Sequence, residues 1–333
     1  MKDYNFIIEI GGYYTTIYKK NGGLVLKERS VLAVTNANEK TVIKAFGNEA
    51  DKLEKINDPN IVVFSPFADG MVKSQEYAKL LLSHFFKKVD IKKSIFSELS
   101  CILSTPCGLN AKDKKEYEKL LYSCNIENVL FVPSIYLIAL NNDMKKHSKS
   151  NLIVDMGAST VDVGIVDYEG VRMGVTLPLG SRNINPALAD ELQKIYKLEV
   201  PLFLVEQIKT ELSTLFLNDI SSMKIQVYEP NIDSTVTTIV CADDVKNVIV
   251  PYVDEIIKVI ETTLNLVTDQ DLAWIKQNGI LISGGMSKIS GLEEYLKSRL
   301  TVPIKIDENC ENSNILGGAK LLNNKELLKM LCD

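Results

Sequence analysis

Short apolar runs that end beside an acidic residue and a small-residue turn set the rhythm of this chain. Leu152-Ile153-Val154 leads into Asp155; Gly157, Ala158, Ser159 and Thr160 follow; Val161, Val163 and Ile165 then alternate with their neighbours. The pattern predicts strand, tight turn, strand. The same unit stands near the start. Tyr4–Ile10 is apolar with Glu9 near its end, Gly11-Gly12 turns the chain, and Thr15–Lys19 returns before a further turn at Asn21-Gly22-Gly23. Two such units half a chain apart predict an internal duplication.

Elsewhere the apolar period lengthens. Ser74–Val89 places Tyr77, Leu80, Leu81, His84 and Phe85 at helical spacing, which makes His84 a packed core histidine. Further helices are expected near 49–55, at 112–123, from 135, and at 184–196, 205–216, 243–266, 291–300 and 314–322. Strands are expected at 100–106, 128–132, 223–227, 236–240, 279–285 and 302–306, with short strands over 24–64 and a polar link at 145–150. The class is α/β.

The 333 residues are 46% hydrophobic and 24% charged, a globular composition long enough for two domains. A net charge of −5 argues against a general nucleic-acid binder. No apolar run has transmembrane length, and Lys2-Asp3 leads straight into the first strand, so neither a signal peptide nor an N-terminal amphipathic helix is expected. Six scattered cysteines without a C-x-x-C pair read as reduced, mostly buried thiols of a cytosolic protein, and two histidines leave little for a His-based triad or metal site.

The chemistry is expected at the turns. Residues 157–160 lack bulk, so their backbone N–H groups can approach an anion, as phosphate loops require, and Asp155 is placed to hold a hydrated Mg²⁺. An ordinary surface hairpin has the same pattern. Neither unit is a P-loop or a dinucleotide fingerprint, because G-x-x-x-x-G-K-[ST] is absent and a strand follows the glycines. Gly284-Gly285, after the 279–285 strand, would let backbone lie flat on a ligand ring; a plain strand-to-helix turn fits equally.

Taken together, these stretches resemble the superfamily of actin, the heat-shock chaperone ATPases and the sugar kinases. Asp155–Val163 resembles its second phosphate motif, Glu9–Thr15 a degenerate first one, and Ile280–Gly285 with Gly291-Leu292 its adenosine motif. Phe64–Val72, Gly180 with the 184–196 helix, and Glu206–Leu212 bring the resemblance closest to the bacterial actins of the MreB family.

That resemblance implies an actin-like ATPase fold of two duplicated α/β domains, four subdomains in all, around a nucleotide cleft. Domain I would take 1–147 and 315–333 with a small subdomain at about 34–64; domain II would take 148–314 with a small subdomain at about 181–244. ATP or ADP with Mg²⁺ would sit between them. Gly11, Gly12 and Thr15 would face the β-phosphate side. Asp155, with Glu9, would hold the metal, and Gly157, Ala158, Ser159 and Thr160 would cradle the outer phosphates near Gly180. Glu206 and Lys209 would contact ribose and base, and Gly284, Gly285 and Met286 would border the adenine. The family polymerises into cytoskeletal filaments on the inner face of the plasma membrane, so the implied partners are further copies of the chain, anionic lipid and membrane-bound morphogenetic proteins.

The chain departs from the family pattern at several points. Glu9 replaces an aspartate, Tyr13 and Tyr14 crowd the first turn, and Ala158-Ser159 interrupts the usual glycine run. Where the family has a Glu-Pro pair whose glutamate orients the attacking water, this chain reads Pro133-Ser134, so weak hydrolysis is expected. The hairpin pattern directs Asp162 away from that position. Two other classes stay open: a small-molecule kinase, for which no acceptor-site carboxylate is found, and a chaperone-like ATPase or adaptor that does not polymerise.

Lys87, Lys88, Lys92 and Lys93 flank an apolar tip, Ile95-Phe96, which either begins the next strand's core or inserts into lipid. Lysines near anionic lipid contribute roughly 1 kcal/mol each and an inserted Phe about 1.5–3 kcal/mol. If the tip inserts, Phe96→Ser pelleted with anionic liposomes binds more weakly than wild type; equal binding by a folded variant removes that role.

Overall fold

The computed structural model describes residues 3–37, 40–92, 98–144, 150–229 and 233–332. Two five-stranded sheets dominate it. In the first, Gly23–Arg29, Tyr14–Lys19 and Phe6–Ile10 form an antiparallel meander, and Ser100–Thr105 and Asn128–Pro133 extend it in parallel. The second repeats that plan with Gly170–Leu177, Val161–Asp167, Asn151–Met156, Ile280–Ser283 and Ile304–Ile306. The duplication expected from the two hairpins is therefore present at the level of the whole sheet.

Even the turns match. Gly11 N–H donates to Tyr14 O at 2.9 Å, and Gly157 N–H donates to Thr160 O at 2.9 Å. Glu9 and Asp155 stand two residues before these glycines, each at the end of the central strand of its sheet. Both hairpins are buried more deeply than alternation suggests; Val161 through Val166 are all buried, as befits a sheet covered on both faces.

Two helices lie between the sheets. In Ser134–Asn141 every residue from Ser134 to Leu140 is buried, so the helix is apolar all round and has no solvent face. Its cluster draws Ile7 and Ile102 from one sheet and Ile153 and Val166 from the other. Ser313–Leu322 packs beside it: a Cβ on Gly317 would sit 1.8 Å from Leu137 O, and one on Gly318 1.8 Å from Ile7 Cδ1. Only residues without a Cβ allow this approach.

A three-stranded sheet, Leu32–Ala37, Lys40–Phe46 and Val62–Phe64, carries the Gly47–Ile56 helix. A hairpin, Ser222–Glu229 with Ser234–Cys241, stands near the helices Ser181–Tyr196, Leu202–Leu212 and Ala242–Leu266. The strand Gly170–Leu177 and the helices Asp269–Asn278 and Lys325–Cys332 were not anticipated, and the helix expected at 205–216 ends at Leu212. Among the described residues no helix is long and apolar enough to cross a membrane.

Two expectations change, and a third falls on residues outside those described. His84 is exposed, stacked on Phe46 with ring centroids 4.6 Å apart, because the Gln75–Lys88 helix buries Ala78, Leu81, Leu82, Phe85 and Phe86 instead. Cys101 and Cys124 are buried, but Cys107 and Cys310 are only partly so, and Cys241 and Cys332 are exposed. Ile95 and Phe96 lie outside the described residues, as does the link 145–149.

Gly317→Ala tests the helix crossing. Alanine gains about 1 kcal/mol of helix propensity, but overpacking against backbone typically costs 1–3 kcal/mol or more. A net loss of about 2 kcal/mol is expected in urea unfolding; a midpoint at or above that of wild type would show that the helices do not approach this closely.

Candidate functional site

Between the sheets lies a cleft with a cavity of about 550 Å³. Its walls bring together Glu9, Gly11, Gly12, Ser134, Asp155, Gly157, Ala158, Ser159, Thr160, Glu206, Lys209, Gly284, Gly285 and Met286. Two expected residues stand behind the walls. Gly180 backs the second turn, where a Cβ would come within 2.4 Å of the Ala158 carbonyl. Thr15 is fully buried with its hydroxyl 2.9 Å from that of Ser30, and strand alternation gives the cleft position to Thr16. Thr15 therefore lies outside the cleft lining, and Thr16 stands there instead.

At the floor, Ser134 Oγ donates to Asp155 Oδ2 at 2.7 Å. Burial pushes the Asp155 carboxyl up to about 7, and the charges of Asp162, Glu9 and Asp307 push the same way against the Ser134 bond. Glu9 is raised as well, again by burial, with Asn314 and Lys27 opposing. Four acidic residues thus lie within electrostatic reach of one another. No three of the described His, Cys, Asp and Glu side chains could enclose a metal by themselves. That donor set suits Mg²⁺, which keeps most of its waters and is held by one or two carboxylates together with phosphate oxygens.

Asp162 is the main residue that pattern reading misplaced. It pairs directly across the hairpin with Asp155, and directly paired residues share a face. Its side chain is buried, accepting from Cys107 N–H at 2.7 Å and from the Thr176 hydroxyl at 2.6 Å. Asp162 therefore binds the loop after Thr105 to the second sheet, and it also lines the cavity.

The remaining wall is equally specific. Lys209 Nζ donates to Ser181 O and Asn185 Oδ1, both at 2.7 Å, and to Glu206 Oε2 at 2.8 Å. These bonds use all three ammonium protons, so in this structure Lys209 holds Glu206 in place within the wall. Burial lowers the Lys209 pKa. Gly284 adopts φ +84°, and a Cβ there would meet Met156 O at 2.4 Å, whereas a Cβ on Gly285 would meet nothing within 4 Å. Gly284 is thus required by the turn, and Gly285 presents bare backbone to open space, as stacking of a flat ring needs.

Tyr13 and Tyr14 line the cleft beside the first turn. Their rings meet edge to face at 4.7 Å, and the Arg29 guanidinium lies 3.8 Å from the Tyr13 ring centroid. Arg29 is itself paired with Asp51. Lys27, directly across from Thr16, donates to Asn312 Oδ1 at 2.9 Å, and Lys288 pairs with Glu311 at 2.6 Å. These cleft residues carried no motif, and only the position of Lys27 opposite Thr16 could have pointed to one of them.

Comparison with known proteins agrees with this geometry. The sequence model of the MreB/Mbl protein family matches residues 3–330. The cell shape-determining protein Mbl of Bacillus subtilis is 24% identical over 324 residues, 96% of either chain, and MreB of Escherichia coli is 20% identical over 95% of this chain and 92% of its own. MreB5 of Spiroplasma citri bound to ADP has a TM-score of 0.86 at 19% identity, covering 97% of this chain and 96% of that one. The MamK double helical filament has a TM-score of 0.80 at 20% identity, covering 96% and 98%. The fold is that of the bacterial actins.

Asp155→Ala tests the cleft floor. Removing the carboxylate that faces the turn at 157–160 should weaken ATP binding in the presence of Mg²⁺ by about 100-fold, the equivalent of about 3 kcal/mol. Isothermal titration calorimetry measures it, and unchanged affinity would exclude Asp155 from the site.

Proposed function

The chain belongs to the MreB/Mbl family, and on that footing we propose that it binds ATP or ADP with Mg²⁺ in the cleft, polymerises into cytoskeletal filaments and hydrolyses ATP slowly. Its structural relatives support the first two parts: MreB5 of Spiroplasma citri was solved with ADP and with AMPPNP, and MamK as a filament. The fit of the cleft supports the first independently. Asp155, with Glu9 beside it, would carry the metal through water; the turns at 11–14 and 157–160 would offer backbone N–H groups to the phosphates; Gly285 and Met286 would border the base. Mg²⁺ supplies neutralisation of phosphate charge when bound. The same reading divides the chain near residues 148 and 315, and places the protein in the cytoplasm, against the inner membrane face.

One observation carries the slow-hydrolysis part. Ser134 stands at the N-terminal end of the buried inter-sheet helix, and its hydroxyl is already committed to Asp155. It is uncharged, short and a poor proton acceptor, so it neither takes the proton from an attacking water nor orients that water as a carboxylate does. Asp162, the other carboxylate at the turn, is engaged by Cys107 and Thr176. General-base assistance is typically worth 10²–10⁴-fold, about 3–5 kcal/mol of barrier.

Sedimentation with and without ATP tests the assembly part, and a chain that stays monomeric under both conditions would favour an adaptor or small-molecule enzyme. Phosphate release at saturating ATP tests the chemistry. Wild type is expected to turn over at least 100-fold more slowly than Ser134→Glu, and brisk wild-type release would mean that another group orients the water.

A further inference from the structure

The two turns of the cleft meet across its floor, and both sides of Gly12 are gripped from the second turn's side. Arg182 Nη1 donates to Gly12 O at 2.6 Å, while the Arg182 backbone N–H donates to Ala158 O at 2.8 Å, so one residue bonds both turns. On the other side of Gly12, a Cβ would lie 1.9 Å from Ser159 Oγ and 3.1 Å from Ser159 Cβ, with the next neighbour, Phe67 O, at an ordinary 3.7 Å. The backbone at Gly12 is not in the left-handed region that favours glycine. The space at Gly12 is therefore closed by Ser159 alone.

We propose that Gly12, Ser159 and Arg182 form a closure clasp that sets the spacing between the two turns, so that the Ser159 hydroxyl fills the room left by the missing Gly12 side chain and the grip on a nucleotide's phosphates depends on this pair being matched. The proposal rests on the nucleotide-binding reading above. Its physical basis is close packing: atoms at 1.9 Å cannot coexist, so a methyl group at Gly12 forces either rotation of Ser159 out of the junction or separation of the turns. Either change removes the apposition on which phosphates would be held from both sides. Ser159 and Gly12 are positioning residues in this scheme, and Arg182 supplies the directional bond that holds them together.

The test is a cycle of three variants, Gly12→Ala, Ser159→Gly and the double variant, with the affinity for Mg·AMPPNP read by calorimetry and the fold checked by thermal unfolding without nucleotide. Gly12→Ala is expected to bind at least tenfold more weakly than wild type, Ser159→Gly also more weakly than wild type because it leaves the junction unfilled, and the double variant at least threefold more tightly than Gly12→Ala. Rescue by the second substitution is not expected of a merely damaged loop. Gly12→Ala binding as wild type does, or a double variant as weak as Gly12→Ala, would overturn the clasp. If Gly12→Ala does not fold, a folded and binding double variant supports the pairing, and an unfolded double variant refutes it. A wild-type protein that binds no nucleotide would refute the underlying reading instead, which keeps the two failures apart.

Discussion

The whole arrangement hangs on one close approach of backbones. Helix Ser313–Leu322 can lie against helix Ser134–Asn141 only because Gly317 has no side chain to meet Leu137 O. Those two helices form the layer between the sheets, and Ile7, Ile102, Ile153 and Val166 pack on it from both sides. The thickness of that layer fixes how far apart the central strands stand. Since Glu9 and Asp155 end those strands, the same crossing brings two carboxylates from opposite halves of the chain into one electrostatic environment. A local steric fact at one glycine thus becomes the geometry of the cleft.

The duplication explains what is shared, and the differences explain what is specialised. Both turns close with the same Gly N–H to carbonyl bond and both follow an acidic strand end. Yet the first turn has bare Gly12 where the second has Ala158, and aromatic Tyr13 where the second has Ser159. The Tyr13 ring is held by Arg29, which stacks on it while paired with Asp51 of the Gly47–Ile56 helix. That contact also ties the small three-stranded sheet to the first turn, so the small sheet and the first turn are mechanically joined.

Much of the fold was legible because its signals are local. The hairpins announce themselves by apolar runs and glycine turns, and the helix 242–266 by its length and periodicity. The elements missed lack such signals. Gly170–Leu177 interrupts its apolar positions with Arg172 and Gly174, and its exposure shows no clean alternation. In Gln75–Lys88 the apolar residues cover too wide an arc for spacing to choose a face, and packing chose the one that excludes Leu80 and His84. The site divided in the same way. Its glycines and Asp155 were readable from motif chemistry. Thr15 against Thr16 is a one-residue question of strand facing, and the role of Lys209 depends on Ser181 and Asn185, partners more than twenty residues away.

Ser134 joins these threads. Asp155 already sits among Asp162, Glu9 and Asp307, and burial with that neighbourhood raises its pKa to about 7. A glutamate at 134 would add a further carboxylate beside Asp155, and without a cation its charge would be repelled by Asp155, Glu9 and Asp162. A hydroxyl has the opposite effect: it donates to Asp155, favours the charged form and satisfies a buried acceptor. Serine at 134 therefore satisfies the buried Asp155 carboxylate where a glutamate would add charge beside it. A cleft built this way holds its acidic floor in order before any ligand arrives, which is the premise of the slow hydrolysis proposed above.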